Sequence, residues 1–360
     1  MQKALEKYLK EYFGESIKLL DFKRLGSGVH GAGYLLKIEN EEGIKSFVLK
    51  DLAPEGLGHD YPSDRAAVFL LANETYGKLP KHVKAIDVIS INHDGVMKSI
   101  GGGVDYFLLM ETAEGENYFK DLSEFSKKDS LNEIDKKKIE TMTSYLAEIH
   151  SIKKDSKTLY WRKLRDTVGH GECLMGVFDS YPDGTLPYNE MAEIIKKSVD
   201  WIIKLKPKHN RLSQIHGDFH PGNIWFKVKE GLHPPFKNIL NTEIDFVLLD
   251  RSRGPWGDPA DDLTALTINY IFFSIKHYGT VKGPYLDALK LFCERYISLT
   301  QDDELFSIVA PFFAFRGAVV ANPIFYPELT SEQRRLIFRF VNNVLDDKSF
   351  SIEKVNDYLS

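Results

Sequence analysis

Cysteine is scarce in this sequence: Cys173 and Cys293 are the only two among 360 residues, far apart and outside any CxxC or Cys/His pattern. The spacing gives neither a zinc signature nor a dithiol redox pair, so both are expected to be reduced thiols that pack. Long uncharged apolar runs are missing too, and no segment reads as a membrane span. Residues 1–15 alternate Lys, Glu and aromatic side chains without the apolar core of a signal peptide, which makes the cytoplasm the expected compartment. Basic charge is not in excess either. The 47 Lys and Arg stand against 52 Asp and Glu, a formal net charge of -5. A nucleic-acid-binding face draws most of its affinity from neutralising phosphates, and none is expected here.

What is present is the composition of a folded chain, 43% apolar and 28% charged. Its length is close to that at which single cores stop growing, so two lobes are expected. Leu5, Tyr8, Leu9 and Tyr12 recur at helical spacing before Gly14 stops the pattern. Strand-like runs then follow at 17–25, 34–38 and 46–52, joined by a glycine cluster at 26–33 and a turn at 40–43. A helix is predicted over 65–72, with further strands at 86–91 and 106–110. After a boundary near residue 112 the pattern is mostly helical, except for β-prone runs at 224–228 and 244–249 that read as a hairpin. The expected fold is α+β: residues 1–112 form an antiparallel sheet with one main helix, and residues 113–360 a larger, mostly helical lobe.

The segment His216-Gly217-Asp218-Phe219-His220-Pro221-Gly222-Asn223 precedes the first strand of that hairpin. An aspartate followed five residues later by an asparagine suits phosphoryl transfer: the Asp218 carboxylate accepts the proton of an attacking hydroxyl, and the Asn223 amide oxygen binds magnesium. Asp250, at the end of the second strand, supplies the metal carboxylate. The rival reading of His216 and His220 as a zinc pair needs a helix that Pro221 and Gly222 would end. Gly26, Ser27, Gly28 and Gly31 fall in a GxGxxG pattern between two strands, which favours a lid over nucleotide phosphates above the helix-opening loop of a nicotinamide-binding fold. Lys50 ends the third strand, where its ammonium would neutralise those phosphates. The backbone of Met110 and Thr112 is placed to meet an adenine edge.

The residues from His216 to Asn223, then Leu249-Asp250, then Gly257-Asp258-Pro259-Ala260-Asp261-Asp262-Leu263, resemble the aminoglycoside phosphotransferase and choline kinase superfamily, motif by motif and in order. The resemblance implies a bilobal, protein-kinase-like fold, with the N-terminal lobe holding nucleotide and the C-terminal lobe catalysis and acceptor. By it Asp218 is the catalytic base, Asn223 and Asp250 bind Mg2+, and His216 and Asp258 support the catalytic loop, although a polar turn residue is an equal reading of Asp258. The expected activity is transfer of the γ-phosphoryl group of ATP, with GTP also open, to a hydroxyl on an amino sugar, amino alcohol or sugar-like metabolite. A nucleotide-binding scaffold without turnover is the alternative. Two departures stand out: Arg251 where an aromatic residue is common, and no evident acidic partner for Lys50, for which Asp64 and Glu74 both qualify. Asp261, Asp302, Asp303 and Glu304 are available for a cationic acceptor, and residues 170–173 with 179–182 for a substrate loop. Arg316, inside an apolar run, is either paired internally or reaches a polar or anionic substrate. Oligomeric state leaves no mark on the sequence.

Overall fold

A computed structural model of the chain describes residues 2–28, 31–54, 57–78, 80–81, 83–229, 243–251 and 253–360. Two compact units divide it, Met1–Met110 and Glu111–Ser360. The first opens with α1 (Gln2–Phe13), whose Leu5, Tyr8 and Leu9 are buried on one face. Gly14 ends the helix by taking φ +107° and donating its N–H to Lys10 O at 2.9 Å. Three antiparallel strands follow in the order β1 (Lys18–Gly28), β2 (Gly31–Asn40) and β3 (Gly43–Lys50). Leu36 and Ile38 of β2 join the α1 stripe, Ile17 and Met97 in one core. Next come α2 (Pro62–Thr75) and the hairpin of β4 (Ile89–Ile91) with β5 (Met97–Ser99).

Three expectations change in this unit. The helix expected at 65–72 begins earlier, because Pro62 pre-sets its first turn and the Asp64 carboxylate caps it by accepting the Tyr61 N–H at 2.7 Å. The strand expected at 86–91 shortens to β4. Asp87 lies ahead of it and turns its carboxylate onto the N–H groups of Val88 and Gly101, at 2.8 and 3.2 Å, so this backbone is held by a side chain rather than a ladder. No strand forms at 106–110. The run is exposed, Leu109 at 98%, and Tyr106 is held locally by its hydroxyl on Ile100 O at 2.9 Å. β propensity describes fit to a pleated, half-buried surface, and without a pairing strand it does not order the chain.

The second unit runs through β6 (Glu116–Asn117), α3 (Tyr118–Phe125), α4 (Glu133–Ser151), α5 (Lys157–Gly169), α6 (Leu174–Asp179) and α7 (Tyr188–Leu205). It continues with β7 (Ser213–Gln214), β8 (Ile224–Lys229), β9 (Glu243–Leu248), β10 (Trp256–Gly257), α8 (Pro259–Tyr278), α9 (Gly283–Thr300), α10 (Ala310–Ala321) and α11 (Ser331–Asp346). The centre is α8, buried from Pro259 to Ile275, and α10 is buried over most of its length beside it. Helices this apolar all round belong inside a core. Two ladders fix the segments of interest. β8 pairs with β9 in register Ile224↔Leu248, as the hairpin pattern predicts, and β7 pairs with β10 in register Gln214↔Trp256. Residues 215–223 are thereby clamped at both ends, and the return segment is held through residues 249–251 on one side and 253–255 on the other. Among the described residues, no helix is long and apolar enough to cross a membrane.

Asp258 caps α8 by accepting the Ala260 N–H at 3.0 Å and also accepts the Tyr160 hydroxyl at 2.9 Å. Arg211 donates Nε to Asp258 at 2.9 Å and both terminal nitrogens to Asp302 at 2.7 Å. All three side chains have little exposure, so removing the cation leaves two carboxylates stranded. Arg211→Leu is expected to destabilise this unit by about 3–5 kcal/mol in chemical denaturation, the range for breaking one side of a buried ion pair. A cost under about 1 kcal/mol would show that Arg211 is not what neutralises Asp258.

Candidate functional site

Residues 215–223 carry no regular structure beyond one 3-10 turn at Pro221–Asn223, and their backbone is held instead by specific partners. Ile215 donates to Pro255 O at 2.9 Å. His216 and Gly217 donate their N–H groups to the two oxygens of the buried Asp262 carboxylate, each at 2.7 Å. His150 holds that carboxylate from the far side at 3.1 Å, its other ring nitrogen 2.7 Å from the Tyr296 hydroxyl. Gly217 sits at φ +88°, and a Cβ there would stand 3.2 Å from Gly254 O, so the position calls for glycine.

The Asp218 N–H lies 3.2 Å from His216 Nδ1, and the Asp218 carbonyl accepts from His220 N at 2.8 Å and from the Asn223 amide at 3.0 Å. The backbone of Asp218 is thus saturated and its carboxylate projects free of it. Because Asn223 spends its NH2 end on Asp218, the oxygen end of its amide is defined. Leu249 donates to Asn223 O at 3.0 Å, which joins the loop to the residue before Asp250. Asp250 itself takes φ +52°, an uncommon conformation for a residue other than glycine and one that surrounding structure must impose.

Arg316, from α10, places Nη1 2.5 Å from Asp218 Oδ1 and Nη2 2.8 Å from Gly217 O and 2.6 Å from Asp261 Oδ1. Lys163 closes on the other Asp261 oxygen at 2.9 Å. Arg253 Nη1 is 3.4 Å and His220 Nε2 3.9 Å from the Asp218 carboxylate. Burial pushes the Asp218 pKa up, but the guanidinium charges of Arg316 and Arg253 outweigh it and hold the group below the ordinary carboxylate value. Asp261 behaves alike, with Lys163 and Arg316 prevailing over burial, whereas burial lowers the pKa of His220. Of the two readings of Arg316, internal pairing is the one formed, with Asp218 and Asp261 as its partners.

Asp258, expected to support the loop, anchors the β10–α8 junction through Arg211 and Tyr160. The carboxylate that holds the loop backbone is Asp262. Sequence reasoning passed over Asp262 in this role, and Arg253 and Lys163 beside Asp218 and Asp261, although Asp258, Asp261 and Asp262 at spacings of three and four in one first turn were a signal that several carboxylates share a helix end. Of the acids expected for a cationic acceptor, Asp261 is taken by Arg316 and Lys163, Asp302 by Arg211, and Glu304 by Lys208 at 2.6 Å. The segment expected as a substrate loop packs against α10, with the Tyr181 hydroxyl on Ala318 O at 2.6 Å. Burial pushes the Cys173 and Cys293 thiols up to about 11 and about 12, so neither is a thiolate near neutral pH.

In the first unit Gly26, Ser27 and Gly28 end β1 opposite Gly33, Ala32 and Gly31 of β2, while Val29 and His30 lie outside the described residues. Asp51 ties this hairpin down: its N–H reaches Ala32 O at 3.0 Å and its carboxylate accepts the Ala32 N–H at 2.5 Å. Gly31 sits at φ +149°, and a Cβ on it would stand 2.3 Å from Asp51 O. Lys50, the last residue of β3 and exposed, stands opposite Gly33. Among the described residues no ion pair joins it to Asp64, which caps α2, or to Glu74, which binds Lys78 at 3.1 Å. Lys50 borders a mostly apolar groove of about 720 Å³ that Leu49, Val68, Phe69 and Ile86 also line. Met110 and Thr112 are exposed in irregular chain.

The sequence matches the pattern of the phosphotransferase enzyme family over residues 21–233, more than half of the chain. No curated protein matches it. Among solved structures, an ethanolamine kinase of Plasmodium vivax is similar at 12% identity, covering 98% of this chain and 85% of that one with a TM-score of 0.32. A thermostable mutant of an aminoglycoside phosphotransferase is similar at 13% identity, with 95% and 98% covered and a TM-score of 0.37. A glucosamine kinase follows at 10% identity, with 95% and 91% covered and a TM-score of 0.34. Family membership rests on the residues matched. The stretch so matched contains the Asp218 loop and its Asn223 partner, and on it the chain belongs to the phosphotransferase enzyme family, whose reaction passes a phosphoryl group to an alcohol of a small molecule.

Proposed function

We propose that the chain transfers the γ-phosphoryl group of ATP, with GTP also open, to a hydroxyl of a small metabolite of the amino sugar, amino alcohol or sugar-like kind, and that Asp218 receives and orients that hydroxyl. The observation that carries this reading is the saturated backbone around Asp218, which leaves its carboxylate as the projecting group of a loop bonded to Asn223 and, through Leu249, to the approach of Asp250. A carboxylate with a lowered pKa is a weak base. In a loose phosphoryl-transfer transition state the hydroxyl needs little deprotonation early, so orientation contributes more than basicity.

Among the described residues no three His, Cys, Asp or Glu side chains converge as a metal cage. Asn223 and Asp250 offer hard oxygen donors on adjoining segments, a set that fits Mg2+, which takes one or two protein oxygens and completes its shell with phosphate oxygens and water. When bound, the ion would neutralise charge on the phosphates. Within the chain, Asn223 holds Asp218 in place through its NH2 end, and Asp262 keeps the loop from relaxing. Gly26, Ser27, Gly28 and Gly31 would bring backbone N–H groups close to phosphate oxygens, and Lys50 would add a cation to them. Met110 and Thr112 would meet the base through their backbone.

Asp218→Asn is expected to lower phosphoryl transfer by about 10²–10⁴-fold, the range for loss of a positioned acid–base group, while ATP affinity measured by calorimetry stays within about threefold. Turnover equal to wild type would remove Asp218 from this role. Gly31→Ala forces Asp51 out of place and should raise the KM for ATP by about tenfold; an unchanged KM would detach the hairpin from nucleotide. Arg316→Met leaves burial unopposed by its strongest counter-charge. The Asp218 pKa then rises, and the acid limb of the pH–rate profile moves to higher pH than in wild type, where it lies below the ordinary carboxylate value. An acid limb that does not move would show that Asp218 ionisation does not govern the rate.

A further inference from the structure

Arg253 lies on the return segment between β9 and β10, three residues beyond Asp250. Its Nε and Nη1 are buried without a hydrogen-bond partner, and so is Nε of Arg316. Both guanidinium groups stand against one ring, that of Phe315, with their central carbons 5.1 and 4.4 Å from its centroid. Both also face the same atom, Asp218 Oδ1, at 3.4 and 2.5 Å. Donors that have left water without gaining an acceptor are costly, and each one in a folded protein calls for an explanation.

The two arginines are not equivalent. Arg316 is locked by Asp218, Asp261 and Gly217, and 5% of its side-chain surface is open. Arg253 keeps 18% open and, among the described residues, makes one close charge contact at a distance too long for a good hydrogen bond, so fewer bonds hold its head group than hold that of Arg316. The neighbouring carboxylates are already engaged, Asp261 by Arg316 and Lys163 and Asp262 by two backbone N–H groups and His150. An ammonium arriving beside Asp218 would meet guanidinium charge rather than a spare acid. An oxyanion would meet the unused donors.

We propose that Arg253, backed by Arg316, is a specificity site for the acceptor: the molecule that offers its hydroxyl to Asp218 also carries a carboxylate or phosphate group, which the Arg253 guanidinium binds. This rests on the phosphotransferase reading of Asp218 and, of the acceptor classes proposed, selects the sugar-like one in its anionic form, a sugar acid or sugar phosphate, over amino sugars and amino alcohols. A guanidinium fork matches either oxyanion in two parallel hydrogen bonds, which a lysine head cannot do.

Four probes with similar carbon skeletons test it: gluconate, glucose 6-phosphate, glucitol and glucosamine, each titrated into the protein by calorimetry and assayed for ADP formation with ATP and Mg2+. Wild type is expected to bind one of the two anionic probes at least about tenfold more tightly than glucitol or glucosamine, and which of the two separates carboxylate from phosphate. Arg253→Gln should cost that probe about tenfold or more, in KM rather than kcat, and cost glucitol less; Arg253→Lys should recover part of the loss. Preference for glucosamine or glucitol, equal or absent binding of all four, or an equal loss across them in a folded Arg253→Gln protein overturns the proposal and leaves Arg253 as a prop for the loop. Failure of the underlying reading looks different, because Asp218→Asn would then form ADP as fast as wild type with every acceptor.

Discussion

The geometry of the candidate site depends on one buried carboxylate. Asp262 accepts the consecutive N–H groups of His216 and Gly217 on its two oxygens, and without that fork the middle of residues 215–223 would rest on the grip of Arg316 on Gly217 O and Asp218, between two ends fixed by short ladders. The fork is affordable because Asp262 sits in the first turn of α8, where the unpaired N–H groups of the helix favour negative charge. Its position is set in turn by the burial of α8 from Pro259 to Ile275. A shift of α8 would carry the whole loop with it.

Three acids in that one turn divide the work by direction. Asp258 faces Arg211 and Tyr160, Asp261 faces Lys163 and Arg316, and Asp262 faces the loop backbone and His150. Helical spacing separates them enough for each to find its own partners, and no two share a cation. That division explains why Asp261, counted as available to a cationic substrate, is committed to structure.

Legibility from sequence tracked the range of the interaction. The Asp218–Asn223 segment was readable because its bonds span five residues or fewer, and the β8–β9 hairpin because two β-prone runs flank a turn-rich stretch. The hold of Asp262 on the loop spans 46 residues and that of Arg316 on Asp218 spans 98, and no local pattern encodes either. Arg316 was still flagged, since a charge inside an apolar run must find a partner; which partner was not written there. The strand expected at 106–110 failed for the complementary reason. Its residues have the right propensity, but propensity does not supply the neighbouring strand that a ladder requires.

Lys163, Asp261, Arg316 and Asp218 form a chain of alternating charge through a buried region. Alternation matters because each ion removed from water must recover its lost hydration from two sides, and an interior member with one neighbour would not. The acids in this chain have lowered pKa values, so their contribution to stability is complete above the ordinary carboxylate range and is lost only as pH falls through those lowered values. From Lys163 to Arg316 every member of the chain is paired at 2.9 Å or less. Asp218 is its last anion and Arg253 the cation beyond it, held by one long contact and with donors unused. The charge chain is saturated at the Lys163 end and has unused donors at the Arg253 end, so an oxyanion on the proposed acceptor would complete an alternation that folding leaves unfinished.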